Sequence, residues 1–262
     1  ISSSASTTFT ANNGPQVKAI NINSSSTNSG TVNTYYNSVS IQDDATPPNT
    51  CFHMRYGTVD SKNNIFANFS SSGSSAAMYC VYKNQTGGTL TSDYNDLYTS
   101  SGASKYIGFN NATTYNTFAN WKGQGFDANS ISGDPGYTST TDLAINATVP
   151  NAWNINGMGQ PIATVSTDIS NNARSTTVAG GSTDLGAYNV TPSSTPASAI
   201  QTGTLTNNST TTYTLSNGRV LGSISWGAGG TVPTAVDVVF YPGVNPPGSS
   251  GYAVANGYWV IT

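Results

Sequence analysis

Three aspartates recur along the chain at a spacing that would place their carboxylates in one row. Asp60, Asp93 and Asp127 are separated by 33 and then 34 residues, and stacked coils bring residues about 25–35 positions apart next to each other. A row of carboxylates at strand spacing repels itself unless solvent or a cation such as calcium relieves the charge. The alternative is that each aspartate makes an Asx turn at a solvated corner. We favour the turns and predict no metal site and no cofactor.

Groups for acid–base catalysis are few. The carboxyl pairs closest in sequence are Asp43-Asp44 and Asp93 with Asp96, and neighbouring residues on a strand point to opposite faces. His53 is the only histidine, and no serine or cysteine motif accompanies it. We therefore predict that the protein is not an enzyme. The alternative is a polysaccharide lyase or glycoside hydrolase, in which Asp93 and Asp127 would be the first pair to inspect.

Cys51 and Cys80 are the only two cysteines, and they lie 29 residues apart. Stacked strands are separated by ~4.8 Å, which is compatible with the Cα separation of a disulfide. Two buried thiols fit the spacing equally well, because free cysteine behaves as a small hydrophobic residue. A zinc site is excluded, because the chain has a single histidine and no CxxC pair.

A repeated asparagine pattern indicates the elements that would position these residues. The same Asn-polar-apolar order recurs at intervals of 26, 32 and 34 residues in Asn37-Ser38-Val39, Asn63-Asn64-Ile65, Asn95-Asp96-Leu97 and Asn129-Ser130-Ile131. Asparagine tolerates left-handed backbone at a bend and can bond to the copies above and below it. Repetition at this scale is typical of a solenoid. We predict that Asn37, Asn63, Asn95 and Asn129 lie at equivalent corners.

The residues around the repeats favour strands. Residues 32–41 alternate apolar and polar side chains, with β-branched and aromatic types dominant. Helical stripes are absent. We expect parallel strands in stacked coils from about residue 16 to residue 190.

Two further segments resemble a known family. Residues 168–174, Asp-Ile-Ser-Asn-Asn-Ala-Arg, and residues 184–188, Asp-Leu-Gly-Ala-Tyr, resemble the closing segment of bacterial surface proteins with a right-handed parallel β-helix. Residues 125–137 resemble a penultimate coil of such proteins. Asn171 stands where the family often has glycine, and Asn189 replaces the usual closing glutamate. The resemblance covers residues from about 30 to 190 and implies a right-handed parallel β-helix.

A change of pattern near residue 190 predicts a second domain. Residues 191–198 have the proline and serine content of a linker. Short apolar runs follow, and Asn217-Gly218 between two of them is a strong hairpin signal. We predict an all-β protein with two domains, a right-handed parallel β-helix at 1–190 and a complete or incomplete immunoglobulin-like β-sandwich at 191–262. Residues 258–261 resemble strands of modules in large Bacteroidota surface proteins exported by the type-nine secretion system.

Composition agrees with an extracellular location. Only 7% of residues are charged, the 11 acidic residues are all aspartate, and the net charge is −3. This charge offers no basic footprint for nucleic acid, and no apolar stretch approaches the ~20 residues that span a bilayer. The chain begins with Ile1 and ends in a strand-like run, so we expect a piece of a larger polypeptide.

We therefore expect a structural or adhesive, secreted cell-surface segment. Its expected partners are other cell-surface or secretion-machinery proteins and glycans. Five aromatic residues could offer ring faces to sugars or could instead belong to the core: Tyr94, Tyr98, Tyr106, Tyr115 and Trp121. Eight Asn-x-Ser/Thr sequons permit glycosylation in a host that modifies such sites.

Overall fold

The structure is a computed structural model, and it shows a mostly β protein with parallel sheets. It describes residues 6–9, 17–23, 30–42, 49–70, 77–84, 86–202, 205–215, 219–247 and 257–262. The predicted all-β class is confirmed at this level.

Eleven strands of the amino-terminal part pair in parallel. They are β1 (Ser6–Phe9), β2 (Lys18–Ile22), β3 (Thr31–Tyr35), β4 (Ser38–Ile41), β5 (Asn49–Met54), β6 (Thr58–Lys62), β7 (Ile65–Asn68), β8 (Met78–Lys83), β9 (Thr89–Asp93), β10 (Asp96–Thr99) and β11 (Lys105–Asn110). Each strand from β1 to β8 pairs with the strand three places later in the chain, so the strands form sheets ordered β1-β4-β7-β10, β3-β6-β9 and β2-β5-β8-β11. We call three consecutive strands a rung, and the complete rungs are β3–β5, β6–β8 and β9–β11.

Left-handed backbone makes the corner between the first and second strand of each rung. Tyr36, Asn63 and Tyr94 have φ of 55°, 59° and 54°, a conformation that costs energy for any residue with a Cβ atom and costs asparagine least. The alternating run 32–41 is therefore not one continuous strand, because Tyr36 divides it into β3 and β4.

The sheet that contains β4, β7 and β10 is buried on both faces. Phe66 belongs to the apolar core between the sheets, together with Val39 and Leu97. Its neighbours Ile65 and Ala67 belong to a second core on the other face. Strands buried on both sides have no polar face, which explains why every residue of β4 and β7 is buried.

A cap ends the parallel strands. Strand β12 (Thr113–Tyr115) turns back antiparallel to β11, and helix α1 (Phe118–Lys122) follows. Trp121, which is fully buried, covers Gly108 so closely that a Cβ on this glycine would lie 2.1 Å from the indole ring. The tryptophan thus packs on the face of β11 in the core between the sheets, while β12 occupies the edge at which a further parallel strand would pair.

The prediction of parallel strands as far as residue 190 is wrong beyond Asn110. Between the end of β12 and residue 197 the structure has α1, helix α2 (Ala152–Ile155), one short 3-10 turn at residues 178–180 and isolated bridges. This segment packs on the outer face of the β4-β7-β10 sheet and supplies most of the second core, including Ile145, Ile155 and Leu185. Residues 127–131 still stack on the last rung, where the Asp127 N–H donates to the Ser92 carbonyl and Ile131 forms a parallel bridge with Asp96. The residues after them, 132–197, bond to the rungs from the side, and we call them the lateral segment.

The carboxy-terminal part is antiparallel. Its strands are β13 (Ser198–Thr202), β14 (Thr210–Thr214), β15 (Val220–Ser225), β16 (Ala235–Tyr241) and β17 (Tyr258–Ile261), in the orders β13-β16-β17 and β14-β15. The predicted pairing of the two runs around Asn217-Gly218 is confirmed by β14 and β15, although the turn itself lies outside the described residues. The domain boundary at residue 190 stays a prediction. Within the described ranges, no helix has the length and apolar character to cross a bilayer.

Candidate functional site

A buried ladder of asparagine side chains runs along the corner of the rungs. Asn64 Oδ1 accepts both the backbone N–H of Asn37 at 2.9 Å and its Nδ2 at 2.8 Å. Asn95 Oδ1 accepts the same two groups of Asn64, at 2.9 and 3.0 Å. All three residues are at most 8% exposed. Each amide therefore satisfies the backbone of the rung before it and locks neighbouring rungs in register.

The ladder contains the predicted Asn37 and Asn95, but at the other two positions its member is one residue after the predicted asparagine. Ser38, Ile65 and Asp96 are partners in adjacent strands, and Asp96 bridges to Ile131. The residues before them are Asn37, Asn64, Asn95 and Ser130, so Asn64 replaces the predicted Asn63 and Ser130 replaces the predicted Asn129. Ser130 Oγ accepts the Asn95 backbone N–H at 2.8 Å, as an asparagine amide oxygen does in the other rungs.

Asp127 ends the ladder. Its Oδ1 accepts Asn95 Nδ2, Ser92 Oγ and Ser130 Oγ at 2.7–3.0 Å, and its Oδ2 accepts Trp121 Nε1 at 2.7 Å. Burial raises the pKa of this carboxyl, and the four hydrogen bonds oppose that rise. The carboxylate thus connects the end of the ladder to the tryptophan of the cap.

The other two aspartates of the predicted row lie elsewhere. Asp60 pairs in register with Thr91, and Asp93 pairs with Lys62, so Asp60 and Asp93 are not partners. Asp60 accepts the Tyr35 hydroxyl at 2.5 Å, and Asp93 binds the backbone N–H and side-chain amide of Asn129 at 2.7 and 2.8 Å. The described residues contain no group of three or more His, Cys, Asp or Glu side chains placed to hold a metal ion. Asp43-Asp44 lies outside the described residues.

Asn63 has a different role from the predicted one: it binds the lateral segment. Its Oδ1 accepts the Gln160 backbone N–H at 2.9 Å, its Nδ2 donates to the Gln160 carbonyl at 2.7 Å, and its own carbonyl accepts the Gly186 N–H at 2.7 Å. Arg174 packs its guanidinium 4.3 Å from the centre of the Tyr36 ring. It also donates to the carbonyls of Asp184 and Gly186. Residues 159–187 are thereby fastened to the corners of two rungs.

The two aspartates of the family-like motifs organise this segment. Burial alone would raise the pKa of Asp168, but hydrogen bonds from Asn189, Asn172 and Ser170 outweigh it and lower the value. Asp184 accepts the N–H groups of Gly157 and Val190, both at 2.7 Å. Burial dominates at Asp184 and raises its pKa to about 6. The motifs thus stabilise the lateral segment.

Cys51 and Cys80 occupy aligned positions in β5 and β8, between the pairs Thr50–Tyr79 and Phe52–Val81. Both are fully buried free thiols in the structure. Burial raises the pKa of each thiol above its ordinary value. Of the two alternatives, a disulfide or two buried thiols, the structure has the two buried thiols.

His53 is held as a neutral ring. Its Nδ1 lies 2.8 Å from Asn21 Oδ1, and its ring stacks on Tyr82 with centroids 5.4 Å apart. Burial, with lesser effects of Lys18 and Arg55, lowers its pKa to about 4. At neutral pH the imidazole is uncharged and packed against an aromatic ring.

An aromatic strip crosses β5, β8 and β11, and it consists of His53, Tyr79, Tyr82, Tyr106 and Phe109. Tyr82 and Phe109 are in-register partners whose rings stack 4.2 Å apart at 3°, and Tyr79 and Tyr106 stack at 5.3 Å. Among the described residues, the apolar core clusters include none of these rings. Tyr82, Tyr106 and Phe109 are half-buried, so the strip presents aromatic surface beside the core.

Sequence reasoning found one member of this strip, Tyr106. Of the other proposed aromatic residues, Trp121 lies inside the cap with Tyr115 against it, Tyr98 packs on Phe69, and Tyr94 makes a corner. A usable signal was present, because Tyr79–Tyr106 and Tyr82–Phe109 share one spacing of 27 residues.

Comparison of the chain with protein-family models, with curated proteins and with solved structures gives no match.

Proposed function

We propose that this protein is a non-catalytic structural or adhesive segment of a large, secreted cell-surface protein. Its amino-terminal part would be a right-handed parallel β-helix, and its carboxy-terminal part an immunoglobulin-like module. Support for the helix comes from the pairing of each strand with the third strand after it and from the right-handed preference of parallel crossovers. The asparagine ladder supports a load-resistant stack, because it ties the rungs together with buried hydrogen bonds.

The aromatic strip carries the adhesive part of the proposal. In-register parallel strands place its rings in rows perpendicular to the strands, at a repeat of ~4.8 Å. Tyr82, Tyr106 and Phe109 are held by stacking and are half-buried, so part of each ring stays exposed to solvent. Such π-faces pack against the C–H faces of pyranose rings. The strip therefore suits an extended, uncharged glycan lying across the strands.

The roles of the carboxylates support a non-catalytic function. Asp127 is occupied by four protein donors, and Asp93 is held by Asn129. The two groups most favoured for hydrolysis thus have structural partners. Glycoside hydrolysis needs one carboxyl as acid and a second as base or nucleophile, both facing the same bond.

Binding to immobilised neutral polysaccharides tests the adhesive role. The double variant Tyr106→Ser/Phe109→Ser removes two rings of the strip, and Tyr188→Ser removes a half-buried ring of the lateral segment as the matched control. With ~0.5–1.5 kcal/mol per ring, the double variant should raise the Kd about 5- to 150-fold. Binding that is equal in parent and double variant, or absent across the panel, would overturn the adhesive role.

Incubation with neutral and acidic polysaccharides, with and without calcium, tests the absence of catalysis. We expect no reducing ends and no unsaturated products. Turnover that disappears in Asp93→Asn would establish the enzyme instead.

A further inference from the structure

A cavity of about 430 Å³ lies where the chain leaves the buried β4-β7-β10 sheet. Gln42 and Phe69 line it just after the ends of β4 and β7, and Asp134, Tyr137 and Asn151 line it from the lateral segment. Its size falls in the ~300–1,000 Å³ range of small-molecule sites. It is separate from the aromatic strip, and none of the residues that line it belongs to that strip.

Two rings form the apolar part of the cavity. Phe69 and Tyr137 have ring centroids 6.2 Å apart at 59°, so their faces are inclined to each other. Phe69 is also packed against Tyr98 at 5.3 Å, which fixes its orientation. Inclined aromatic faces beside a space of this size can contact the C–H surface of a flat or chair-shaped ring.

Three polar side chains of the lining are held in place by bonds that use only part of their capacity. Asp134 Oδ1 accepts the Gly136 N–H at 2.8 Å, Asn151 Nδ2 donates to the Asp134 carbonyl at 3.1 Å, and Gln42 Nε2 donates to Ser40 Oγ at 2.8 Å. A carboxylate has about four acceptor sites, and each amide keeps a carbonyl oxygen and a second N–H. Preorganised donors and acceptors around an apolar face are the pattern of a specific binding site.

The charge of the lining selects among ring ligands. Asp134 is the charged residue of the cavity wall, and the residues that the structure places in this wall include no lysine, arginine or histidine. A carboxylate accepts hydrogen bonds from hydroxyl groups and repels a ligand carboxylate. We propose that this cavity binds a single neutral pyranose residue through Phe69, Tyr137, Asp134 and Asn151.

This site goes beyond the proposed adhesive strip and does not rest on it. A monosaccharide is small enough to enter the cavity and too small to span the rows of the strip. Free monosaccharides therefore report on the cavity, whereas long polysaccharides report on both places.

Saturation-transfer NMR and calorimetry with glucose, galactose, mannose, N-acetylglucosamine and glucuronate test the proposal. The parent protein should bind at least one neutral sugar and should bind glucuronate at least tenfold more weakly. Thr140, an exposed residue at the cavity mouth, permits a blocking variant, Thr140→Trp, that leaves the core untouched. It should weaken binding at least tenfold, while the exposed remote control Thr231→Trp should not change it.

Asp134→Asn separates charge from shape. It should weaken the binding of the neutral sugar and reduce the difference in affinity between the neutral sugar and glucuronate. Tyr106→Ser/Phe109→Ser should leave monosaccharide binding at the parental value even if polysaccharide binding falls. The proposal is overturned if no neutral sugar binds, if glucuronate binds as tightly as the neutral sugars, or if Thr140→Trp binds like the parent.

Discussion

At the scale of single residues, neighbouring asparagines have unequal roles. Asn64 lies in the ladder and donates to Thr34 O, Ser61 Oγ and Asn95 Oδ1 while accepting two groups of Asn37. Asn63 adopts the left-handed corner and binds the lateral segment. Buried polar groups cost free energy when they lose partners, so the number of orphaned groups decides the effect of a substitution.

Asn64→Leu should therefore be strongly destabilising. It leaves the Asn37 amide groups and the Thr34 carbonyl without their bonds, and each orphaned buried group costs ~1–3 kcal/mol. Asn129→Leu is the matched control, because Asn129 is exposed and lies outside the ladder. Urea unfolding should show a loss of at least ~2 kcal/mol for Asn64→Leu and less than ~1 kcal/mol for Asn129→Leu. Equal losses in the two variants would contradict the register.

The pKa of Asp184 predicts a pH dependence of stability. Burial raises this pKa to about 6 in the folded protein, above the ordinary ~3.9 of the unfolded chain. The folded state then binds the proton more tightly, so the contribution is fully present below the ordinary pKa. It is lost as the pH rises through about 6. Because the carboxyl is buried, this pKa difference corresponds to a loss of roughly 3 kcal/mol in the free energy of unfolding.

Asp184→Asn isolates this effect. The free energy of unfolding of the parent minus that of the variant should decrease between pH 4 and pH 7. His53, whose lowered pKa acts in the opposite direction, is present in both proteins and cancels. Arg174 and Asp168 interact with Asp184, but both keep their charge in the folded protein between pH 4 and pH 7, because the pKa of Asp168 is lowered and arginine ordinarily titrates above pH 12. A difference that is constant or grows with pH would show that burial does not control this carboxyl.

At the scale of elements, the end of the parallel stack depends on one small residue. Gly108 in β11 leaves space for the Trp121 ring. Phe126 stacks on the same ring, with the two ring centroids 4.9 Å apart. Asp127 binds the indole N–H, so the cap and the asparagine ladder share an anchor. Strand β12 covers the edge of β11, on which another chain could otherwise add.

Gly108→Ala should loosen this cap. Its Cβ would lie 2.1 Å from a ring carbon of Trp121, which forces the indole to move, and overpacking of this kind costs ~1–3 kcal/mol. Gly222→Ala in β15 is the control, because a Cβ there meets nothing within 4 Å. Thermal unfolding and tryptophan fluorescence should change for Gly108→Ala alone. Unchanged fluorescence and melting in Gly108→Ala would show that Trp121 does not cover this strand.

At the scale of the whole molecule, the lateral segment joins distant parts of the chain. The Ala187 N–H donates to Ser38 Oγ across 149 residues of sequence, and Gln160 bonds to Asn63 across 97. Arg174 is only 6% exposed and lies between Tyr36 and the carbonyls of Asp184 and Gly186. Truncating its guanidinium would leave these carbonyls and the Tyr36 ring face without a partner.

Arg174→Met should detach this segment locally. It removes two hydrogen bonds from a charged group, each worth ~1.5–3 kcal/mol, and a cation–π contact worth ~0.5–2 kcal/mol. Limited proteolysis should cleave within residues 159–190 at least tenfold faster than in the parent. Arg55→Met, at an exposed arginine 5.4 Å from the Tyr56 ring, should leave the cleavage rate unchanged. Equal cleavage in the parent and Arg174→Met would argue against this anchor.

The β class, the recurrence of strands and the use of asparagine near the corners could be predicted from the residues alone. These properties are local, because alternation, β-branched residues and Asn-Gly turns act through nearest neighbours. The antiparallel pair β14–β15 followed from such a turn signal.

Which asparagine of Asn63-Asn64 enters the ladder could not be predicted, because the two are chemically identical and the corner conformation selects between them. The packing of residues 132–197 beside the rungs could not be predicted either, because these residues cover Ile65 and Ala67 without a recurring strand pattern. Contacts between residues about 100 or more positions apart, such as those of Asn63 and Ser38, bring groups together that no sequence interval relates.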